Sequence, residues 1–128
     1  MSVTDYKTVL MVEGEPIGIG MQVYGGDHGL ESDACSTDGL CGLPSRSDIL
    51  SGCLGGHFVT ICGWDDTIKI PVPKVGWLDR QRYSVGAWKV ANSWGAGWGL
   101  GGFFWLPYDY TFSGNQLCSD PWALIRMQ

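Results

Sequence analysis

Charge is scarce in this sequence. Only 16% of its 128 residues are Asp, Glu, Lys or Arg, and the formal net charge is −5. The eight cationic side chains nowhere form a run. A chain without a basic stretch offers little to a phosphate backbone, so no nucleic-acid partner is expected. Long apolar runs are missing as well. The stretch His57 to Trp64 is among the longest, far short of the roughly 20 residues that cross a bilayer. No membrane span is therefore expected. The opening MSVTDYKTVL lacks the basic start and apolar core of an export signal, and none is expected there. The five cysteines contain no C-x-x-C pair, which argues against a zinc site. No metal and no other cofactor is expected.

What is present points to a folded body. Apolar residues make up 45% of the chain and seven are Trp, a composition that builds a core and does not stay disordered. Neither a repeat nor a linker interrupts it, so residues 1–128 read as a single domain. Twenty glycines imply many turns and close backbone approaches.

Residues 3–16 read as a helix with Thr4 as its cap, Tyr6, Val9 and Leu10 on one face, and Gly14 and Pro16 as its stop. Ile17, Ile19, Met21 and Val23 alternate as a strand does. Residues 25–55, rich in Gly, Asp and Ser, carry no sustained period and read as a long ordered loop. A second strand is expected over 57–64 and a polar excursion over 65–86, where Pro71 and Pro73 argue against a central strand. Further strands are expected over 87–94, from 103 to about Pro107, and over 120–127. Helix and strand together predict an α+β fold, one N-terminal helix on a curled, mostly antiparallel sheet.

An odd cysteine count leaves room for two disulfides and one free thiol. Cys62, inside an apolar strand, reads as the free one. Cys35 and Cys41 lie where a bridge would clip the long loop. Pairing of the remaining four would place the chain in an oxidising compartment at some stage.

Two residues carry chemistry. His57 opens the second strand in GGHFVTICGWDD, and Asn92 falls in NSWGAGWG near the end of the next core strand. Adjacent antiparallel strands can bring these ends together. An amide oxygen that accepts a ring N–H fixes the imidazole's tautomer, which is the orienter's part in a nucleophile–base–orienter triad. Trp94, two residues on, is placed to cover the pair and keep water from the hydrogen bond. A histidine held by Asn92 for structure alone fits the same pattern. His28 reads as a solvated loop residue, Asp65 and Asp66 as a turn, and Glu13 and Glu15 as helix-end and turn charges.

The segments GGHFVTICGWDD, AWKVANSWGAGWGLGGFFWLPYDY and DPWALI, in that order, resemble the C-terminal half of papain-like cysteine peptidases. The resemblance implies the family's right-hand, sheet-rich half-barrel domain, with His57 as general base, Asn92 as orienter and Trp94 as shield. It puts Ile17, Gly55 and Gly56 where the family builds its substrate pocket. It puts Cys53 and Cys118 where some members form a disulfide. The family's nucleophile motif, a C-W-x-F-like helix start with a glutamine upstream, does not occur in the sequence. The expectation is a non-catalytic half-domain whose exposed cleft face is covered by a protein partner or a second copy. The alternative is the His/Asn-bearing part of a cysteine peptidase whose nucleophile sits on another chain.

Overall fold

A computed structural model describes residues 2–25, 29, 32–74, 78, 80–92, 97–112 and 117–118. Four strands form one antiparallel open sheet in the order β1 (Ile17–Val23), β2 (Gly55–Val72), β3 (Arg82–Ala91) and β4 (Phe103–Pro107). Short helices surround it: α1 (Val3–Thr8), α2 (Asp33–Asp38), α3 (Arg46–Ser51) and α4 (Tyr108–Thr111). The α+β class expected from the sequence is the class observed.

The N-terminal helix starts at Val3, where the expected span starts, but its cap is a different residue. Ser2, not Thr4, is its cap: the Ser2 hydroxyl accepts from Asp5 N at 3.3 Å, and the Asp5 carboxylate accepts from Ser2 N at 2.8 Å. This reciprocal box needs an acid three residues on, which Ser2 has and Thr4 lacks. After Thr8 the helix widens into a π-turn over Val9–Glu13 and ends at Gly14 with φ +64°, a left-handed backbone that glycine takes without steric cost.

The region from 25 to 55, expected as loop, contains α2 and α3. Each is six residues long, and each is capped by a serine, Ser32 and Ser45. Fewer than two turns leave no room for a 3.6-residue period to show.

The core lies on one face of the sheet. Ile17, Ile19 and Met21 of β1, Val59 and Ile61 of β2, Trp88 and Val90 of β3, and Phe104 and Leu106 of β4 are all at most 2% exposed. Tyr6 and Val9 of the N-terminal helix and Tyr110 of α4 close over them. The Trp88 ring stacks on Tyr6 at 5.3 Å, and its N–H donates to the Thr111 hydroxyl at 3.0 Å.

β2 is longer than expected and takes in part of the predicted excursion. Its first seven residues pair with β1 on one side, and it runs along β3 as far as Val72 opposite Arg82. A straight 18-residue strand would span about 56 Å. Yet Ser47 and Lys74 line one pocket, and the eight steps from Ser47 to Gly55 reach at most about 29 Å. The strand therefore bends. Its register with β3 shifts between Ile61 and Gly63 and again between Asp65 and Lys69, where bulges let a sheet curl.

All five cysteines are free thiols, so neither expected disulfide is made. Cys53 is exposed, and its thiol donates to Gly55 O at 3.1 Å. Cys118 is partly buried beside Met21, its partner in an isolated bridge. Cys35 and Cys41 are buried as neighbouring thiols joined by a hydrogen bond. Cys62 is free as expected, yet exposed, because it falls on the outward row of β2. The expected strand over 120–127 lies outside the described residues.

Candidate active site

The sheet register brings the candidate base and its orienter together. His57 stands opposite Met21 in the β1–β2 ladder, and directly opposed residues share a sheet face. Met21 is buried, as are Val59 and Ile61, two and four residues beyond His57. The imidazole therefore lies on the inward row, at its mouth, half-buried. On β3, Ala91 stands opposite Thr60. One further step puts Asn92 opposite Val59, on the same inward row and one diagonal from His57, within reach of a long side chain.

The backbone beyond β3 holds Asn92 there. Asn92 N donates to Gly102 O at 2.9 Å, and Gly102 N donates to Trp98 O at 2.8 Å. The glycine-rich turn thus folds back as a clamp on the orienter, a part that motif reading did not assign to it.

His57 Nε2 and Asn92 Oδ1 are 2.8 Å apart, in a partly buried contact. An amide oxygen has no proton to give, so the ring nitrogen donates. The hydrogen then sits on Nε2, and Nδ1 is the basic nitrogen of the neutral ring. Such a pair can take a proton at Nδ1 and hold the resulting imidazolium in one orientation.

Acyl transfer also needs a thiolate. The hydrogen bond with Cys35, then burial, holds the Cys41 thiol well above its ordinary pKa. Burial pushes the Cys118 thiol up to about 12. Both are neutral and weakly nucleophilic at neutral pH. Cys62 projects from the outward row with Phe58 and Thr60, away from the face that carries His57. Among the described residues, no group of three or more His, Cys, Asp and Glu side chains is arranged to hold a metal ion.

The expected substrate pocket is not assembled as the resemblance implies. Ile17 pairs with Ile61 and Gly55 with Val23, so the two stand at opposite ends of the β1–β2 ladder. Six residues of strand separate them by about 20 Å. Ile17 is fully buried in the core, whereas Gly55 and Gly56 are exposed beside His57. Beside Gly55 stand Val23, the exposed Leu54, whose N–H donates to Val23 O at 2.7 Å, and the Cys53 thiol on the Gly55 carbonyl. Trp94, the expected shield, and His28 lie outside the described residues.

Comparison with known proteins places the chain in a family. The model of the papain family cysteine proteases matches residues 45–119, more than half of the chain, and the chain belongs to that family. It is 29% identical over 114 residues to an uncharacterized peptidase C1-like protein of Acanthamoeba polyphaga mimivirus, covering 89% of this chain and 29% of that protein. The fold is similar to that of xylellain, a cysteine protease from Xylella fastidiosa, with a TM-score of 0.53 and 23% identity, covering 92% of this chain and 35% of the other. The chain thus spans about a third of the length of the proteins it matches.

Proposed function

We propose that this chain supplies the base-and-orienter half of a papain-like site and does not hydrolyse peptides by itself. The 2.8 Å contact between His57 Nε2 and Asn92 Oδ1 supports this reading most. An orienter that sets the tautomer of a base is of use where a proton is moved. The working form is an assembly in which another polypeptide segment, or a second copy, covers the face beside Gly55 and Gly56. If that segment carries no cysteine at the imidazole, the domain is a binding or structural module. If it brings a cysteine thiol to Nδ1, the assembly is a cysteine endopeptidase. The retained pair favours the second version.

The test is covalent labelling with an epoxide inhibitor of papain-type enzymes. The purified chain is expected to take up no label and to release no product from peptide substrates. Stoichiometric labelling of one of its own cysteines, abolished by His57→Ala, would sink the proposal. In an assembly that cleaves peptides, His57→Ala is expected to remove turnover. Asn92→Ala is expected to lower kcat by a smaller factor, since it disturbs the orientation of the base and leaves the base itself in place.

A further inference from the structure

Asn92 stands just past the support of the sheet. Both ladders of β3 stop at Ala91, opposite Thr60 on one side and Phe103 on the other. The orienter's backbone is held next by Gly102 O, which accepts from Asn92 N at 2.9 Å. Gly102 belongs to a turn that closes on itself: Leu100 N donates to Phe103 O at 2.9 Å, and Phe103 N to Leu100 O at 3.3 Å. That closure sets the turn's own shape, not its place beside Asn92. A second attachment sets the place. Gly99 N donates to Ser36 O at 2.6 Å. Ser36 lies near the end of α2, where the last carbonyls have no partner inside the helix. The fit is close on both sides. A Cβ on Gly39, the cap of α2, would meet Leu100 Cγ at 2.6 Å, and a Cβ on Gly99 would meet Phe103 O at 2.5 Å.

We propose, taking His57 and Asn92 as the working base and orienter, that Gly99 is a positioning residue for that pair and that α2 is its anchor. The connection is a run of hydrogen bonds: Gly99 N to Ser36 O, Gly102 N to Trp98 O, Asn92 N to Gly102 O, and His57 Nε2 to Asn92 Oδ1. A side chain at 99 fits neither the φ of +61° nor the space in front of Phe103 O. The turn must then shift and carry Gly102 with it. The bond between His57 and Asn92, at 2.8 Å, weakens as its length and angle leave the hydrogen-bonding range. Closing the Leu100–Phe103 turn needs no contact with α2, so the docking of Gly99 on Ser36 serves the placing of Asn92.

Exchange of the His57 Nε2 proton with water, read by NMR on the purified chain labelled with 15N-histidine, tests this. The chain has two histidines, and His28→Gln assigns their signals. At about pH 8, above the ordinary imidazole range, the wild type is expected to hold this proton in its bond to Asn92. Asn92→Ala is expected to speed exchange about tenfold, as loss of one hydrogen bond does, and Gly99→Ala to do nearly the same. Ser32→Ala removes the hydroxyl that caps α2 by accepting from Cys35 N. It alters neither the turn nor the pair, is expected to speed exchange about fivefold, and decides the matter if Gly99→Ala does not fold. Ser2→Ala uncaps α1 in the same way and is expected to leave exchange unchanged; a role in stability alone would move both cap variants alike. Wild-type exchange in a folded Gly99→Ala or in Ser32→Ala, or equal acceleration in Ser2→Ala and Ser32→Ala, overturns the anchoring and leaves the proposed function standing. A wild type that exchanges as fast as Asn92→Ala overturns both, since no pair is then held.

Discussion

β2 lives in two surroundings. Over Gly55–Ile61 it has β1 beside it, and its inward residues Val59 and Ile61 are buried. Over Lys69–Val72 it pairs with β3 alone, and the facing stretch of β3 exposes Tyr83 at 54% and Val85 at 57%. Pro71, which lacks an N–H, is tolerated there because that side of the strand has no ladder to complete. Between the two, residues Asp66 to Ile68 bulge out opposite Gly86 alone. The inner half fixes its side chains by packing, and that is where His57 sits. The outer half is held by one ladder, by polar contacts and by the one buried apolar side chain of its stretch, Ile70, and its end reaches the pocket that Ser47 and Lys74 line.

The largest expected difference compares one aromatic from each half of β3. Trp88 is fully buried among Tyr6 and Tyr108, with ring centroids at 5.3 and 4.5 Å. Trp88→Ala is expected to cost about 3–5 kcal/mol in urea denaturation. Tyr83→Ala, at an exposed site, is expected to stay within about 0.5 kcal/mol. Equal losses would break the division into two regimes.

Gly86 sits at the divide and gives the next largest effect. Its φ is +94°, and a Cβ there would meet the Tyr108 ring at 2.5 Å. Gly86→Ala is expected to cost about 2–3 kcal/mol, from backbone strain together with displacement of that ring. A neutral outcome in the same denaturation assay would show that the bulge yields without a hinge residue.

The same division explains what was legible beforehand. Ile17, Ile19, Met21 and Val23 announce β1 because a strand with one buried face alternates, and Trp88 and Val90 announce the inner half of β3 in the same way. The outer half of β2 is masked by its prolines and by the bulge over Asp66 to Ile68, which puts the buried Ile70 out of step with the run before it. The His57–Asn92 contact was readable because motif order named the two residues, and their strands are neighbours. The separation of Ile17 from Gly55 was not, because residue identity carries no register. The pocket lined by Arg46, Lys74 and Arg82 was invisible for a related reason: the three are scattered in sequence, and the bend of β2 brings their segments together.

Thiols of the inner half add a pH dependence. Burial pushes Cys118 up to about 12, while an unfolded thiol titrates near 8.5. Above that value the unfolded chain releases the proton first and the folded chain keeps it. Stability from this group is therefore complete below about pH 8.5 and is lost as pH rises toward the folded value. The expected loss is about 2 kcal/mol by pH 10. In urea titrations under reducing conditions, Cys118→Ser should flatten this alkaline slope, and Cys62→Ser, at an exposed thiol, should not. Equal slopes in both variants would remove buried thiols as the cause.

The smallest expected effect concerns a polar latch across the divide. Asp66, in the bulge, accepts from Lys7 Nζ at 2.8 and 3.0 Å and from the Tyr108 hydroxyl at 2.6 Å. Lys7 also lies over the Trp64 ring at 5.5 Å, so the N-terminal helix, β2 and α4 meet at one carboxylate. The hydrogen bond from Lys7, then that from Tyr108, holds the Asp66 carboxyl below its ordinary range. A depressed folded value means the contribution is complete above the unfolded value near 3.9 and is lost as pH falls through the lowered one. The site is exposed, and exposed ion pairs are weak and salt-screened. Asp66→Asn is therefore expected to lower the urea midpoint slightly at neutral pH. The two proteins should converge as pH falls below the carboxylate range, and molar salt should shrink the gap. A loss as large as that of Trp88→Ala, unchanged by salt or acid, would mean that the bulge is packed like the core and that the two halves of β2 share one regime.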